Sequence, residues 1–320
     1  MPPALLSISD VRIYYYTLTG IVRAVDGVSF QLEEGEVLGI AGESGCGKST
    51  LGYGLLGLVP PPGRIVRGSI VLDGVDIVKL KPAELRKVRW AKVSMVFQGA
   101  MNALNPVYTV GHQLAEPLVI HKGLSVKESL EIAAEMLKRV GLSPEVLKRY
   151  PHELSGGMKQ RVMIAMALLL KPRLIIADEP TTALDVVIQA QIMNLFKEIR
   201  QVERNAMIFI THDLSLIAEI ADKTGIMYAG KMVELGTSEA VFGYPLHPYT
   251  QGLLRSIPRL RGKEKITWIP GVPPDLRMPP PGCRFHPRCP YAMDICRSEE
   301  PPEIEVEKGH VVSCWLYAKR

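Results

Sequence analysis

Gly42-Glu43-Ser44-Gly45-Cys46-Gly47-Lys48-Ser49 fits the pattern G-x-x-x-x-G-K-[ST], with Thr50 directly after it. Glycines in such a loop let the backbone curl until successive N–H groups point inward at phosphate oxygens. Lys48 is then placed to reach the β- and γ-phosphates of a nucleoside triphosphate, and Ser49 offers its hydroxyl to Mg2+. Further along, Ile175-Ile176-Ala177-Asp178-Glu179-Pro180 reads as an apolar strand ending in two acids. Beside a triphosphate, the first acid, Asp178, would hold Mg2+ through water and the second, Glu179, would polarise the attacking water. Between the two lies Leu154-Ser155-Gly156-Gly157-Met158-Lys159-Gln160-Arg161, a Ser-Gly-Gly turn opening a helix and so a second anion-binding arrangement. One chain would then own two sets of phosphate donors. Either the second set completes the site of a partner chain, or Ser155 is only a helix cap followed by two turn glycines.

These groups need a scaffold, and the hydrophobic pattern supplies one. Val37-Leu38-Gly39-Ile40-Ala41 is a short buried strand entering the phosphate loop, and Lys48 to Leu58 can leave it as a helix. The helix N-terminus adds the positive end of its dipole to the cradle. Residues 1 to about 35 alternate apolar and polar positions, as in Val11-Arg12-Ile13-Tyr14-Tyr15, which predicts short antiparallel strands. Ile70 to Val75 predicts one more strand with a turn. From 111 to 149 the spacing of Leu130, Ala133, Ala134, Leu137 and Val140 is helical. Leu174 to Ala177 and Ala206 to Ile210 read as buried strands that each follow a helical segment, so the middle of the chain is an α/β sheet with crossover helices. After Tyr244-Pro245-Leu246-His247-Pro248 the pattern breaks. The prolines of 270 to 290 predict a linker and a small C-terminal module that adds little to the main core.

With 320 residues, 47% of them hydrophobic and 22% charged, the chain suits one large globular domain plus an appendage. A net charge of +5 is too mild to name a partner. Val162 to Leu170 and Leu174 to Ala177 are separated by Lys171, Pro172 and Arg173, well short of the roughly 20 apolar residues of a spanning helix. Met1-Pro2-Pro3-Ala4 lacks the basic and apolar regions of a secretory signal, so a cytoplasmic compartment is expected.

Taken in order, these segments resemble the ATP-binding cassette of an ABC transporter over about residues 8 to 245. The resemblance adds a glutamine loop at Val96-Phe97-Gln98, a signature at Leu154 to Met158, a dimer-contact loop at Ala183-Leu184-Asp185 and a switch histidine at Thr211-His212-Asp213. It implies an α/β cassette: a RecA-like phosphate-loop core sheet with an antiparallel β subdomain and an α-helical subdomain at about 99–155, together spanning 1–245. A C-terminal extension follows at 246–320. ATP would lie on Gly42, Ser44, Gly45, Cys46, Gly47, Lys48, Ser49 and Thr50, with Mg2+ on Ser49, Gln98 and Asp178. Glu179, His212 and Gln98 would carry hydrolysis. Leu154, Ser155, Gly156, Gly157 and Met158 would face a partner's ATP, Asp185 the dimer contact. Of Tyr14, Tyr15 and Tyr16, Tyr15 is expected to stack on adenine because it shares a strand face with Ile13. Met158 stands where many cassettes carry glutamine, but the donors at 155–157 are intact.

Gln98 with Met101-Asn102-Ala103-Leu104-Asn105-Pro106, and then Gly243-Tyr244-Pro245-Leu246-His247-Pro248-Tyr249-Thr250, is similar to the oligopeptide and dipeptide importer ATPases. The resemblance implies two transmembrane permease subunits, a second and non-identical cassette chain, an extracytoplasmic solute-binding protein, and a place on the cytoplasmic face of the membrane. Oligosaccharides or other small solutes are the alternative cargo. A soluble cassette ATPase acting on nucleic acid or ribosomes is disfavoured by the single cassette and the lack of a dense basic patch. Cys283, Cys289, Cys296 and Cys314 follow C-x5-C-x6-C-x17-C. In a cytoplasmic protein four clustered thiols suggest a metal before disulfides. All-cysteine ligation and the subfamily resemblance imply a [4Fe-4S] cluster, with zinc, disulfides or free thiols as alternatives. Cys46 is expected to be a small side chain without redox work.

Overall fold

The structure, a computed structural model, describes residues 4–99, 103–182, 184–256 and 268–318. They fall into two compact units: 1–32, 37–78 and 211–320 belong to one, and 33–36 with 79–210 to the other.

The first unit begins with two strands, β1 (Leu6–Thr17) and β2 (Gly20–Leu32), longer than the short strands expected. Leu6, Ile8, Val11 and Ile13 are all buried, although a period of two cannot hold 8 and 11 on one face. A register shift between Ile8 and Val11, with Asp10 at φ 44°, inserts the extra residue that brings Val11 and Ile13 back to the core side. β3 (Val37–Ala41) is buried along its whole length and feeds through the phosphate loop into α1 (Lys48–Leu55). That helix stops before Leu58, because Gly57 turns left-handed (φ 58°) and donates back to the Gly54 carbonyl. β4 (Gly63–Leu72) and β5 (Val75–Asp76) complete an antiparallel sheet in the order β2-β1-β4-β5.

The second unit contains α2 (Pro82–Val88), β6 (Val93–Val96), α3 (Val110–Lys122), α4 (Val126–Arg139), α5 (Gly156–Leu168), β7 (Leu174–Asp178), α6 (Val186–Glu203) and β8 (Ala206–Ile210). β7 pairs in parallel with β6 and with β8, and all three strands are buried throughout. Burial on both faces explains why they read as continuous apolar runs. α4 opens on a capping box, Ser125 with Glu128, and buries Ala133, Met136 and Leu137 at helical spacing.

The chain then returns to the first unit with α7 (Leu214–Ile220), β9 (Lys223–Tyr228), β10 (Lys231–Thr237), α8 (Ser238–Gly243), α9 (Pro248–Arg255), α10 (Ile295–Ser298), β11 (Glu303–Glu307) and β12 (His310–Ser313). β3 and β9 run parallel, while β9-β10-β12-β11 continue antiparallel. The C-terminal module therefore adds two strands to the unit's sheet. It also contributes to the core: Phe285 is buried against Tyr228 and Tyr249, with ring centroids at 5.2 and 5.4 Å. The expectation that this module adds little to the main core fails on that aromatic cluster, since proline-rich spacing hides a single large anchor.

Candidate functional site

In the first unit the phosphate loop is curled by glycines at positive φ: Gly42 at 153°, Gly45 at 79° and Gly47 at 106°. A Cβ on Gly42 would lie 2.1 Å from the Met227 carbonyl oxygen and one on Gly47 2.0 Å from that of Ala24, whereas Gly45 has no neighbour within 4 Å. Two glycines are thus required by the protein behind the loop, and the third faces open space where a phosphate can approach. Lys48, the first residue of α1, is buried, and its ammonium donates to the carbonyls of Gly42 (2.7 Å) and Glu43 (3.1 Å). Cys46 is buried behind the loop, and burial pushes its thiol pKa up, which suits an inert filler. Ser44 is exposed, while Ser49 and Thr50 are half-buried.

The three tyrosines have separate fates. Tyr14 donates to Asp26 (2.6 Å), and Tyr16 carries the Arg64 guanidinium 4.1 Å above its ring. The Tyr15 hydroxyl instead lies 3.4 Å from the Thr50 hydroxyl, next to the phosphate-loop helix. His212 is exposed, between Thr211, whose N–H donates to Ile40, and Asp213, which caps α7.

The second unit gathers Gln98, Asp178 and Glu179. Asp178 ends β7 fully buried. Glu179 follows in the left-handed region at φ 45°, a conformation that costs a non-glycine residue on the order of 1–3 kcal/mol. Its N–H donates to the Ile210 carbonyl (2.8 Å), so strand pairing continues through the strained residue. One carboxylate oxygen then accepts both Gln98 Nε2 (3.0 Å) and Thr182 Oγ1 (2.8 Å). Thr182 was missed from sequence. Its only signal is the turn it closes, Thr182 N–H to Glu179 C=O at 3.2 Å.

Ser155 caps α5, accepting from the Met158 N–H at 3.4 Å, as the plain helix-cap alternative required. Gly157 has a packing role as well, since a Cβ there would meet the Ile188 side chain at 2.9 Å. Leu154 is buried beside Ser155, and the backbone N–H groups at Gly156 and Gly157 belong to the first turn of α5. Asp185 caps α6 by accepting from the Ile188 N–H at 2.9 Å. Met101, Asn102 and Ala183 lie outside the described residues.

The expected metal centre on Cys283, Cys289, Cys296 and Cys314 is corrected by the structure. All four are described and free, and among the described residues no group of three or more His, Cys, Asp or Glu side chains could hold a metal ion. Neither an iron–sulfur cluster nor zinc is therefore assigned. Burial, and after it the other thiols nearby, push the pKa of Cys283 up to about 11 and of Cys314 up to about 12, and raise that of Cys289, so these three side chains are held as protonated thiols. Cys283 and Cys289 pack instead as small apolar side chains against the Tyr228–Tyr249–Phe285 cluster.

A cradle of this form in one unit and a strand that ends in a buried aspartate in the other define an ABC ATPase cassette, and known proteins of this class resemble the chain. Residues 25–182 match the ABC transporter family. The ATP-binding cassette MJ0796, solved as a dimer in a post-hydrolysis state bound to ADP and Pi, superposes with a TM-score of 0.65 at 30% identity, covering 73% of this chain and 98% of that one. The C-terminal module narrows the class, because residues 233–296 match the family described as oligopeptide/dipeptide transporter, C-terminal region. The dipeptide transport ATP-binding protein DppD of Bacillus subtilis is 49% identical, covering 98% of this chain and 95% of that protein. The oligopeptide transport ATP-binding protein OppD of Escherichia coli is 50% identical, covering 98% and 93%. The chain belongs to the ATP-hydrolysing subunits of the oligopeptide and dipeptide ABC transporters. Among the described residues no helix is long and apolar enough to cross a membrane.

Proposed function

We propose that this chain energises peptide import by closing face to face with a second, non-identical cassette beneath two transmembrane permease subunits, on the cytoplasmic side. An extracytoplasmic solute-binding protein delivers the peptide to that complex. ATP lies on the loop from Gly42 to Thr50, with Tyr15 against the adenine. Ser155, Gly156 and Gly157 of this chain offer N–H and hydroxyl donors to the γ-phosphate of the ATP held by the opposing cassette, with Leu154 and Met158 flanking them and Asp185 at the dimer contact. Ser49, Gln98 and Asp178 provide the hard oxygen donors that suit Mg2+, which supplies charge neutralisation of the phosphates when bound. Glu179 orients and deprotonates the lytic water, and His212 hydrogen-bonds the γ-phosphate.

The observation that carries the hydrolytic reading is the doubly held carboxylate of Glu179, fixed by Gln98 and Thr182. A base held by two donors keeps its reactive oxygen in one place, so little orientation is lost at the moment of reaction. The experiment is reconstitution of the whole transporter in vesicles with labelled di- and oligopeptides. ATP-driven uptake that stops in Glu179→Gln is expected. Unchanged uptake in that variant, or uptake of oligosaccharides but not peptides, overturns the proposal.

A further inference from the structure

Glu43 occupies one of the unspecified positions of the phosphate-loop pattern, yet in the first unit it is held from outside the loop at both its backbone and its side chain. Its N–H donates to the hydroxyl of Tyr249 on α9 at 2.8 Å. Its carboxylate takes a two-pronged grip from Arg288 of the C-terminal module, Nη1 to Oε2 at 2.6 Å and Nη2 to Oε1 at 2.9 Å. Arg288 is itself fixed: Nε donates to the Pro270 carbonyl at 2.8 Å, Nη1 also reaches the Tyr228 hydroxyl at 3.3 Å, and its side chain is only 5% exposed. A planar guanidinium matched to both oxygens of a carboxylate sets orientation as well as distance.

A second arginine of the same module reaches the loop at one remove. Arg284, buried, is hydrogen-bonded to the Ala229 carbonyl and paired with Asp26. The next residue, Gly230, donates its N–H to the Cys46 carbonyl at 2.9 Å and accepts from the Asp26 N–H at 2.8 Å. The loop is therefore tied at its start through Glu43 and at its middle through Cys46, and both ties lead to residues 284–288.

We propose that the C-terminal module is a brace that holds the phosphate loop in its ATP-receiving curl, with Arg288 as the positioning residue that acts through Glu43. The mechanism follows from Lys48, whose ammonium is hydrogen-bonded to the carbonyls of Gly42 and Glu43. Releasing Glu43 frees the peptide that aims this ammonium, so the cost falls on nucleotide binding rather than on the water-activating carboxylate of the second unit. This inference rests on the assignment of Gly42 to Ser49 as the ATP cradle.

The test is nucleotide affinity and steady-state ATPase of the assembled transporter carrying Arg288→Ala, Arg288→Lys, Glu43→Gln, the Arg288→Ala/Glu43→Gln pair, or Lys48→Ala. Arg288→Ala should raise Kd and KM for MgATP roughly tenfold and change kcat by less than about twofold. Arg288→Lys, with one charge but no fork, should recover part of the loss. Glu43→Gln, on a side chain 27% exposed and still able to accept one hydrogen bond, tests the same contact should Arg288→Ala not assemble, and should raise Kd about threefold. The pair should bind no more weakly than Arg288→Ala alone, because both changes break one contact. Unchanged Kd in Arg288→Ala or in Glu43→Gln, or fully additive losses in the pair, overturns the brace. Full ATP binding by Lys48→Ala overturns the cradle assignment and the brace with it.

Discussion

In the phosphate loop the chemistry-bearing groups are aimed by backbone: three glycines at positive φ set the curl, and atoms of Ala24 and Met227 press directly on two of them. At the end of β7 they are aimed by side chains, with Gln98 and Thr182 converging on one oxygen of Glu179 from positions 81 residues before and three after it. The two regions fail differently when altered. A backbone cradle tolerates almost any side chain that leaves φ alone but no Cβ at its pressed points. A side-chain constellation keeps its fold through many substitutions and loses function with the loss of a single oxygen or amide.

Glu179→Gln should break that contrast most sharply. It preserves shape and can still accept from Thr182, so the second unit folds and nucleotide binds, while the water loses its base and kcat falls on the order of 10²–10⁴-fold. Phosphate release, measured beside ATP affinity, checks this; a parallel loss of affinity would mean that Glu179 acts on binding instead. Next in size is Gly47→Ala, which places a Cβ against backbone that cannot yield and holds alanine at φ 106°. A loss of about 3 kcal/mol in denaturant stability, together with lost nucleotide binding, is expected. Gly45→Ala carries the conformational cost alone, about 1–2 kcal/mol, because nothing lies within 4 Å. Equal losses at 45 and 47 would show that φ alone, and not the pressure from Ala24, governs the loop.

The same contrast explains what was legible in the sequence. Gly42 to Ser49 is a local pattern because each glycine answers a local demand, and the buried parallel strands read directly as apolar runs. Thr182 was invisible, since nothing in its type or neighbours says that its hydroxyl turns back on Glu179. Arg288 and Phe285 were hidden by the prolines around them; a composition that reads as linker carried both a core anchor and a buried arginine paired with the loop. The cysteines erred in the other direction. Their spacing in sequence suggested ligation, but among the described residues no group of side chains could hold a metal, and Cys283 and Cys289 pack against the cluster that contains Tyr228, Tyr249 and Phe285, which no spacing rule reveals.

Gln98→Ala tests the side-chain half more gently. Removing this donor to Glu179 should lower kcat about tenfold while ATP affinity moves little, as expected for a group that orients a base rather than supplies one. An intact kcat would take Gln98 out of the positioning of Glu179.

Acidity separates the two regions as well. His247 is buried at the start of α9, where its Nδ1 accepts from the N–H of Tyr249, the residue whose hydroxyl holds Glu43. Its backbone N–H donates to Glu234, a buried carboxylate that also faces His310, and Phe285 lies against its ring. Burial lowers the His247 pKa to about 3, against about 6.5 in an unfolded chain. Between those values the unfolded state binds one proton more than the folded state, so the contribution is complete above about pH 6.5. It declines by about 1.4 kcal/mol for each pH unit on acidification towards pH 3. His247→Asn keeps an acceptor for the Tyr249 N–H and removes the titration. Denaturation midpoints from pH 7 to 5 should therefore fall less steeply in the variant. Hydrogen exchange in wild type at pH 5 should speed up around α9 and Glu43 before it does along β7, because β7 has no buried neutral histidine to protonate. Parallel acid slopes in wild type and variant would place the acid weakness of the first unit elsewhere than at His247.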